Sequence, residues 1–259
     1  MYDRGTGVAV IVVPGVQGRW EWMRPALDAL SHGERAISYS LCGDIGSGAR
    51  LDPALGFDSY LRQLDEVFDR TGVKRAAVCG VSYGGFVALR YAATRPDRVS
   101  ALILVSSPAP GWQPSERQMR YIAHPLRSLP AFLTTGPMRT WPEIYSAFPT
   151  WRQRMAFSIV HGMRVLAAPM NPVLMAGRVR QEQAMDFAED CARVTAPTLI
   201  VTGEAHLDTV VPVPVTERFR DLIPGSTHVL MDGTGHLGMV TQPERFARIV
   251  REFLNGKCR

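Results

Sequence analysis

Short runs dense in valine and isoleucine recur along this chain, at Val8–Val13, Arg35–Leu41, Arg75–Val81, Val99–Val105, Pro197–Thr202 and Thr227–Met231. These apolar runs have the look of strands buried on both faces, as in a parallel sheet. Between most of them lie amphipathic stretches with apolar side chains at three- and four-residue steps: Trp20–Ser31, Phe57–Thr71, Gly84–Thr94, Val213–Leu222 and Pro243–Leu254. Gly72 and Gly256 fall where helix C-termini are expected. Strands alternating with helices predict an α/β fold: a doubly wound, mostly parallel sheet of about six strands with helices on both faces. Ligands bind such sheets beyond the carboxyl ends of the strands, so functional residues are expected just after strands.

One stretch interrupts the alternation. From Pro108 to about Cys191 no convincing strand occurs, and prolines at 125, 130, 137, 142, 149, 169 and 172 predict short, broken helices. The chain therefore divides into a first core segment, residues 1–110, a helical insertion, residues 111–192, and a second core segment, residues 193–259. The insertion is rich in Met and Trp, including Trp112, Trp141, Trp151, Met119, Met138 and Met163. Most of these are expected to form the insertion's own core, and a few to line an adaptable substrate cavity.

Composition narrows the class. Of 259 residues 46% are hydrophobic and 20% charged, enough to bury a sizeable core and too apolar for intrinsic disorder. The net charge of +5 comes from arginine, since Lys74 and Lys257 are the only lysines. No basic tract interleaved with aromatic residues points to nucleic acid. Cys42, Cys79, Cys191 and Cys258 have no metal-ligand or CxxC spacing and are read as reduced thiols. Arg4 followed by Val8–Val13 mimics a signal peptide, but the run is short and leads into Pro14-Gly15 with no small-residue cleavage site. No stretch approaches the roughly 20 apolar residues of a membrane span. A soluble cytoplasmic protein without integral membrane association is the expectation.

The chemistry starts at Gly80-Val81-Ser82-Tyr83-Gly84-Gly85, which directly follows one expected strand and opens a helix. That context makes G-x-S-x-G a nucleophile elbow, with glycines relieving crowding where strand and helix meet and Ser82 presented at the sheet edge. A serine hydroxyl needs a base in hydrogen-bond reach and a group to orient that base. His236, in the glycine-flanked loop Gly233–Gly238 after the last strand, stands at the correct end of the sheet. His32, His124, His161 and His228 stand at a helix end, in the insertion or inside a strand, where packing or surface roles are expected. Asp208, in the loop after Thr202, is the expected orienting acid, with Glu204 its main rival and Asp232 a lesser one. His206 with Asp208 supplies too few ligands for a metal site. Backbone N–H donors for an oxyanion are expected from Tyr83 and from the loop Pro14–Gly18, at Val16 or alternatively Gln17.

The order Ser82, Asp208, His236, each after a different strand, resembles the α/β-hydrolase superfamily over nearly the whole chain. Pro96-Asp97-Arg98-Val99 and Gln242-Pro243-Glu244 carry the likeness further. The resemblance implies that the insertion is a helical lid over a substrate pocket and that the chemistry proceeds through an acyl-enzyme without cofactor or metal. Ser82 separates the chain from relatives with an aspartate at the elbow, which disfavours dehalogenase and epoxide hydrolase activities. Pro14 stands where the family often has histidine, and few residues precede the first strand, so the family's opening antiparallel hairpin is expected to be missing. That leaves one sheet edge open, to solvent or to a second copy in a homodimer. The expected activity is hydrolysis of a small-molecule carboxylic ester, lactone or thioester. Carbon–carbon bond hydrolysis, acyl transfer, and a ligand receptor on the same scaffold are the alternatives. Between Gln113 and Gln181 the insertion carries Arg117, Arg120, Arg127, Arg139, Arg152, Arg154, Arg164, Arg178 and Arg180 against only Glu116 and Glu143, so an anionic acyl substrate is a further expectation, set against a plain solvated basic face.

Overall fold

The computed structural model describes residues 1–256; Lys257 and Cys258, noted above, lie outside the described residues. Seven strands form one sheet in the order β1-β3-β2-β4-β5-β6-β7. They are β1 (Tyr2–Arg4), β2 (Ala9–Val13), β3 (Arg35–Ser38), β4 (Ala76–Val81), β5 (Val99–Val105), β6 (Thr198–Thr202) and β7 (Thr227–Leu230). All neighbouring pairs are parallel except β1 with β3. The helices of the core are α1 (Arg24–Leu30), α2 (Asp58–Thr71) and α3 (Gly84–Thr94), and, after the insertion, α9 (Val213–Glu217), α10 (Phe219–Leu222), α11 (Gly238–Thr241) and α12 (Pro243–Leu254). The insertion supplies α4 (Glu116–Ala123), α5 (Leu129–Ala147), α6 (Trp151–Ala167), α7 (Pro172–Gln183) and α8 (Ala188–Arg193) between β5 and β6.

Strands β2 to β6 each feed two cores because successive side chains point to opposite faces. Ile11, Val13 and Ile37 pack with Phe68 of α2 and Phe86 and Tyr91 of α3. Val10, Val12 and Ala36 pack on the other face with Leu27 and Leu30 of α1 and Phe246 and Val250 of α12. Full burial of each large apolar side chain contributes about 1.5–3 kcal/mol. An ion pair such as Arg251 with Glu34, whose arginine is 40% exposed, adds far less. The docking of α12 is therefore governed by its apolar stripe.

The structure departs from the sequence expectation at three places. A seventh strand covers the edge that was expected to stand open: Tyr2, Asp3 and Arg4 pair antiparallel with Ser38, Ile37 and Ala36. Three residues, two of them charged, give no strand periodicity, yet Tyr2 is buried against Trp20 and Arg35 pairs with Asp3 at 2.7 Å. The second departure is α5, which runs unbroken through Pro137 and Pro142. Each proline removes the hydrogen bond to the carbonyl four residues earlier, here those of Leu133 and Met138. Both residues are exposed, so water can satisfy the freed carbonyls. The third concerns the insertion's apolar residues. Neither α4 nor α6 has a fully buried residue, and Met138, Trp151 and Met163 are exposed. Helices laid on a core as a layer bury one face, not both.

The turn from β4 into α3 depends on Gly80, where an added Cβ would stand 2.4 Å from the Gly84 carbonyl oxygen and 2.5 Å from the Gly85 Cα. Both obstacles are backbone and cannot rotate away. Gly80→Ala is expected to destabilise the fold by about 1–3 kcal/mol, read as a lower urea midpoint at unchanged slope.

Candidate active site

Ser82 occupies the left-handed backbone region with φ of 52°, a conformation a non-glycine residue adopts only when its surroundings impose it. The surroundings here are the neighbouring loop and helix. A Cβ on Gly84 would lie 2.4 Å from the Val13 carbonyl oxygen, and one on Gly85 would lie 2.2 Å from Ser107 Oγ. From Ala76 through Leu89 every residue is buried except Ser82, which is half-exposed. The elbow therefore holds one hydroxyl at the surface of an otherwise closed structure.

The loops after β6 and β7 meet through glycines. A Cβ on Gly203 would lie 2.5 Å from the Thr234 carbonyl oxygen, and one on Gly235 would lie 2.5 Å from that of Leu207. This contact brings His236 Nδ1 to 3.1 Å from Asp208 Oδ2. The other carboxylate oxygen, Oδ1, accepts the N–H groups of Val210 and Val211, both at 3.0 Å. Burial favours a protonated Asp208, but the His236 charge and these hydrogen bonds prevail and hold its pKa below the ordinary value. Burial likewise opposes a charged His236. The Asp208 charge and hydrogen bond, with a smaller contribution from the Glu143 charge, outweigh it and raise the ring's pKa. A pair of this kind fixes one tautomer and favours proton uptake on the other ring nitrogen. Among the described residues no hydrogen bond joins Ser82 Oγ to the ring, as is common in a resting site.

The rival acids are engaged elsewhere. Glu204 Oε1 accepts Gly233 N–H at 2.6 Å and braces the histidine loop, while Asp232 is exposed and pairs with Arg245 at 3.0 Å. Of the other histidines, His228 is bonded to Thr202 Oγ1 at 2.8 Å, His161 is stacked on Phe157, and His206 lies on the surface 3.3 Å from Glu204. Gly18 N–H to the Gly15 carbonyl at 2.9 Å closes a turn with Val16 and Gln17 at its apex. A Cβ on Gly15 would lie 3.5 Å from Ser82 Cβ, so this turn borders the serine. Tyr83 directly precedes α3, where backbone N–H groups lack intrahelical acceptors. A cavity of about 380 Å³ lies beside Asp208 and is lined also by Arg117, Gln118 and Val210. Among the described residues no group of three or more His, Cys, Asp or Glu is arranged to hold a metal ion, and no helix is long and apolar enough to cross a membrane.

The profile of the alpha/beta hydrolase family matches residues 10–249. The chain belongs to this family. Among its relatives, the protein named "Putative carbamate hydrolase RutD" of Variovorax paradoxus is 28% identical over 96% of this chain and 92% of its own length. A thermophilic esterase from Thermogutta terrifontis superposes with a TM-score of 0.79 at 24% identity, covering 100% of this chain and 93% of that one. The enol-lactonase from Burkholderia xenovorans superposes with a TM-score of 0.76 at 17% identity, covering 98% and 95%. At these identities the two structures establish the shared fold.

Sequence reasoning missed one residue of this hydrolase's site. Glu143, on α5 of the insertion, is 1% exposed, and its Oε2 accepts the N–H of Leu237 at 3.0 Å, next to His236 in the chain. Burial drives its carboxyl up, opposed by hydrogen bonds from the Leu237 and Gly235 backbone and by the His236 charge. The signal in the sequence was faint, one of only two carboxylates in an arginine-rich stretch, and nothing local ties it to a loop more than ninety residues away.

Glu143→Leu removes the acceptor and leaves the Leu237 N–H buried, so a loss of about 1–3 kcal/mol is expected in chemical denaturation. Glu143→Gln keeps an acceptor oxygen and removes the charge. In that variant the His236 ring is expected to titrate at lower pH than in the wild type, followed by NMR.

Proposed function

We propose that this hydrolase cleaves an ester, lactone or thioester of a small molecule through an acyl-enzyme on Ser82. The observation that carries the reading is the conjunction at one end of the sheet of a half-exposed serine in a left-handed elbow and a histidine hydrogen-bonded to a buried carboxylate. Ser82 Oγ attacks the carbonyl carbon while His236 Nε2 takes its proton. Asp208 holds the ring through Nδ1 and stabilises the imidazolium that forms. The Tyr83 N–H and an N–H from the Val16–Gln17 turn receive the negative charge that develops on the carbonyl oxygen. Collapse of the tetrahedral intermediate expels the leaving group, protonated by His236. Water, activated by the same base, then releases the acid and restores Ser82.

The carbamate activity in the name of the Variovorax paradoxus relative belongs to the same class, addition to an acyl carbonyl, and so fits the same machinery. The insertion, resting over the histidine loop through Glu143, supports its reading as a lid over residues 111–192. None of these steps needs a cofactor.

A fluorophosphonate probe is expected to add stoichiometrically to Ser82 and to leave Ser82→Ala unmodified, read by intact mass and peptide mapping. A folded wild-type protein that takes no label would overturn the reading. Because general-base chemistry needs the neutral ring, kcat/KM is expected to rise with pH through a midpoint above the ordinary 6.5. Asp208→Asn removes the charge that is the largest influence raising that midpoint. It should shift the limb to lower pH and reduce kcat by roughly 10⁴-fold.

A further inference from the structure

The arginines of the insertion separate into groups once their surroundings are known. Arg178 is buried and bonds to Asp44 and, at 2.8 Å, to the Val16 carbonyl. Arg154 lies 3.6 Å over the Tyr145 ring and donates to the Phe148 carbonyl at 2.9 Å. Arg120, Arg127 and Arg152 are exposed, as a solvated face requires. Arg117 on α4 and Arg139 on α5 fit none of these descriptions. Both are half-buried, and among the described residues each has an Nε shielded from solvent without a hydrogen-bond partner.

These two arginines also converge on the site. Arg139 stands one helical turn before Glu143, on the same face of α5, and Glu143 accepts the Leu237 N–H. The Arg139 charge lowers the His236 pKa, against the larger influences of Asp208 and Glu143. Arg117 lines the cavity that Asp208 also borders, and α4 meets α5 where Tyr121 Oη lies 3.3 Å from Thr135 Oγ1, residues one helical turn from Arg117 and from Arg139 respectively. Two like charges held together away from bulk water are unfavourable until an anion lies between them. Neither neighbouring carboxylate pairs with them among the described residues: Asp208 is committed to His236, Val210 and Val211, while Glu143 gives Oε2 to the Leu237 N–H and its Oε1 is buried without a hydrogen-bond partner.

We infer that Arg117 and Arg139 form a subsite for an oxyanion group, a carboxylate or a phosphate, on the substrate processed at Ser82. The inference rests on the serine-hydrolase reading for the word substrate, and on the arginine pair alone for the anion. Planar guanidinium groups present paired N–H donors that match such oxygens, and a partly dry setting strengthens the contact. The subsite makes the insertion a specificity element: it would select acyl compounds with a charged group near the carbonyl and disfavour neutral esters of the same length.

Calorimetry with glutarate and with inorganic phosphate on the wild type, Arg117→Gln, Arg139→Gln and Arg127→Gln tests the anion without turnover. Parallel measurement of kcat/KM for 4-nitrophenyl hemisuccinate and 4-nitrophenyl butyrate tests its use. The wild type is expected to bind at least one anion, and the stronger of the two identifies the oxyanion. Loss of either Arg117 or Arg139 should weaken that binding about tenfold or more, and lower the hemisuccinate-to-butyrate ratio to match. Arg127→Gln should alter neither. No binding by the wild type, or equal weakening by Arg127→Gln, would overturn the subsite, since the second result means a diffuse field. Thermal melts establish that each variant is folded. Failure of the wild type to hydrolyse both esters would count against the serine-hydrolase reading, and the calorimetric comparison would still decide the subsite.

Discussion

Backbone meeting backbone, at separations that leave no space for a Cβ, is the condition on which the carboxyl edge of this sheet depends. Gly80 and Gly84 let β4 turn into α3 against the loop after β2, and Gly203 and Gly235 let the loops after β6 and β7 lie against one another. Without the first contact the Ser82 backbone would have no reason to hold its left-handed conformation. Without the second, Asp208 and His236 would sit on separate loops with no fixed relation. Side-chain chemistry at this site is thus set by places where side chains are missing.

The electrostatics build on that geometry. Burial alone would drive Asp208 towards its neutral form and His236 likewise, and their contact reverses both tendencies. The insertion then adds opposite influences from one helix face, with Glu143 raising the His236 pKa and Arg139 lowering it. A single element thereby steers the ring and, through Leu237, supports the backbone that carries it. The same insertion reaches the opposite side of the site by Arg178, whose bonds to Asp44 and the Val16 carbonyl tie α7 to the turn beside Ser82. Movement of the insertion would therefore be felt at both His236 and the turn.

The amino-acid sequence by itself determined the elements that carry a strong local signature. Runs dense in valine and isoleucine marked six strands, of which β2 to β6 are buried on both faces while β7, at the sheet edge, is only partly buried. The elbow was legible because its glycines, its serine and its strand-to-helix setting are contiguous, and Asp208 and His236 were legible as residues that follow strands. Other features existed only in three dimensions. The edge strand Tyr2–Arg4 is specified by its partner Ser38 and by the Arg35–Asp3 pair, not by its own pattern. The passage of α5 through two prolines goes with the exposure of Leu133 and Met138, the residues whose carbonyls lose their helical partners. Which arginines are spent on structure and which stand unpartnered, and that Glu143 reaches the histidine loop, was decided by the tertiary structure, because a charge acquires its role from neighbours that lie far away along the chain.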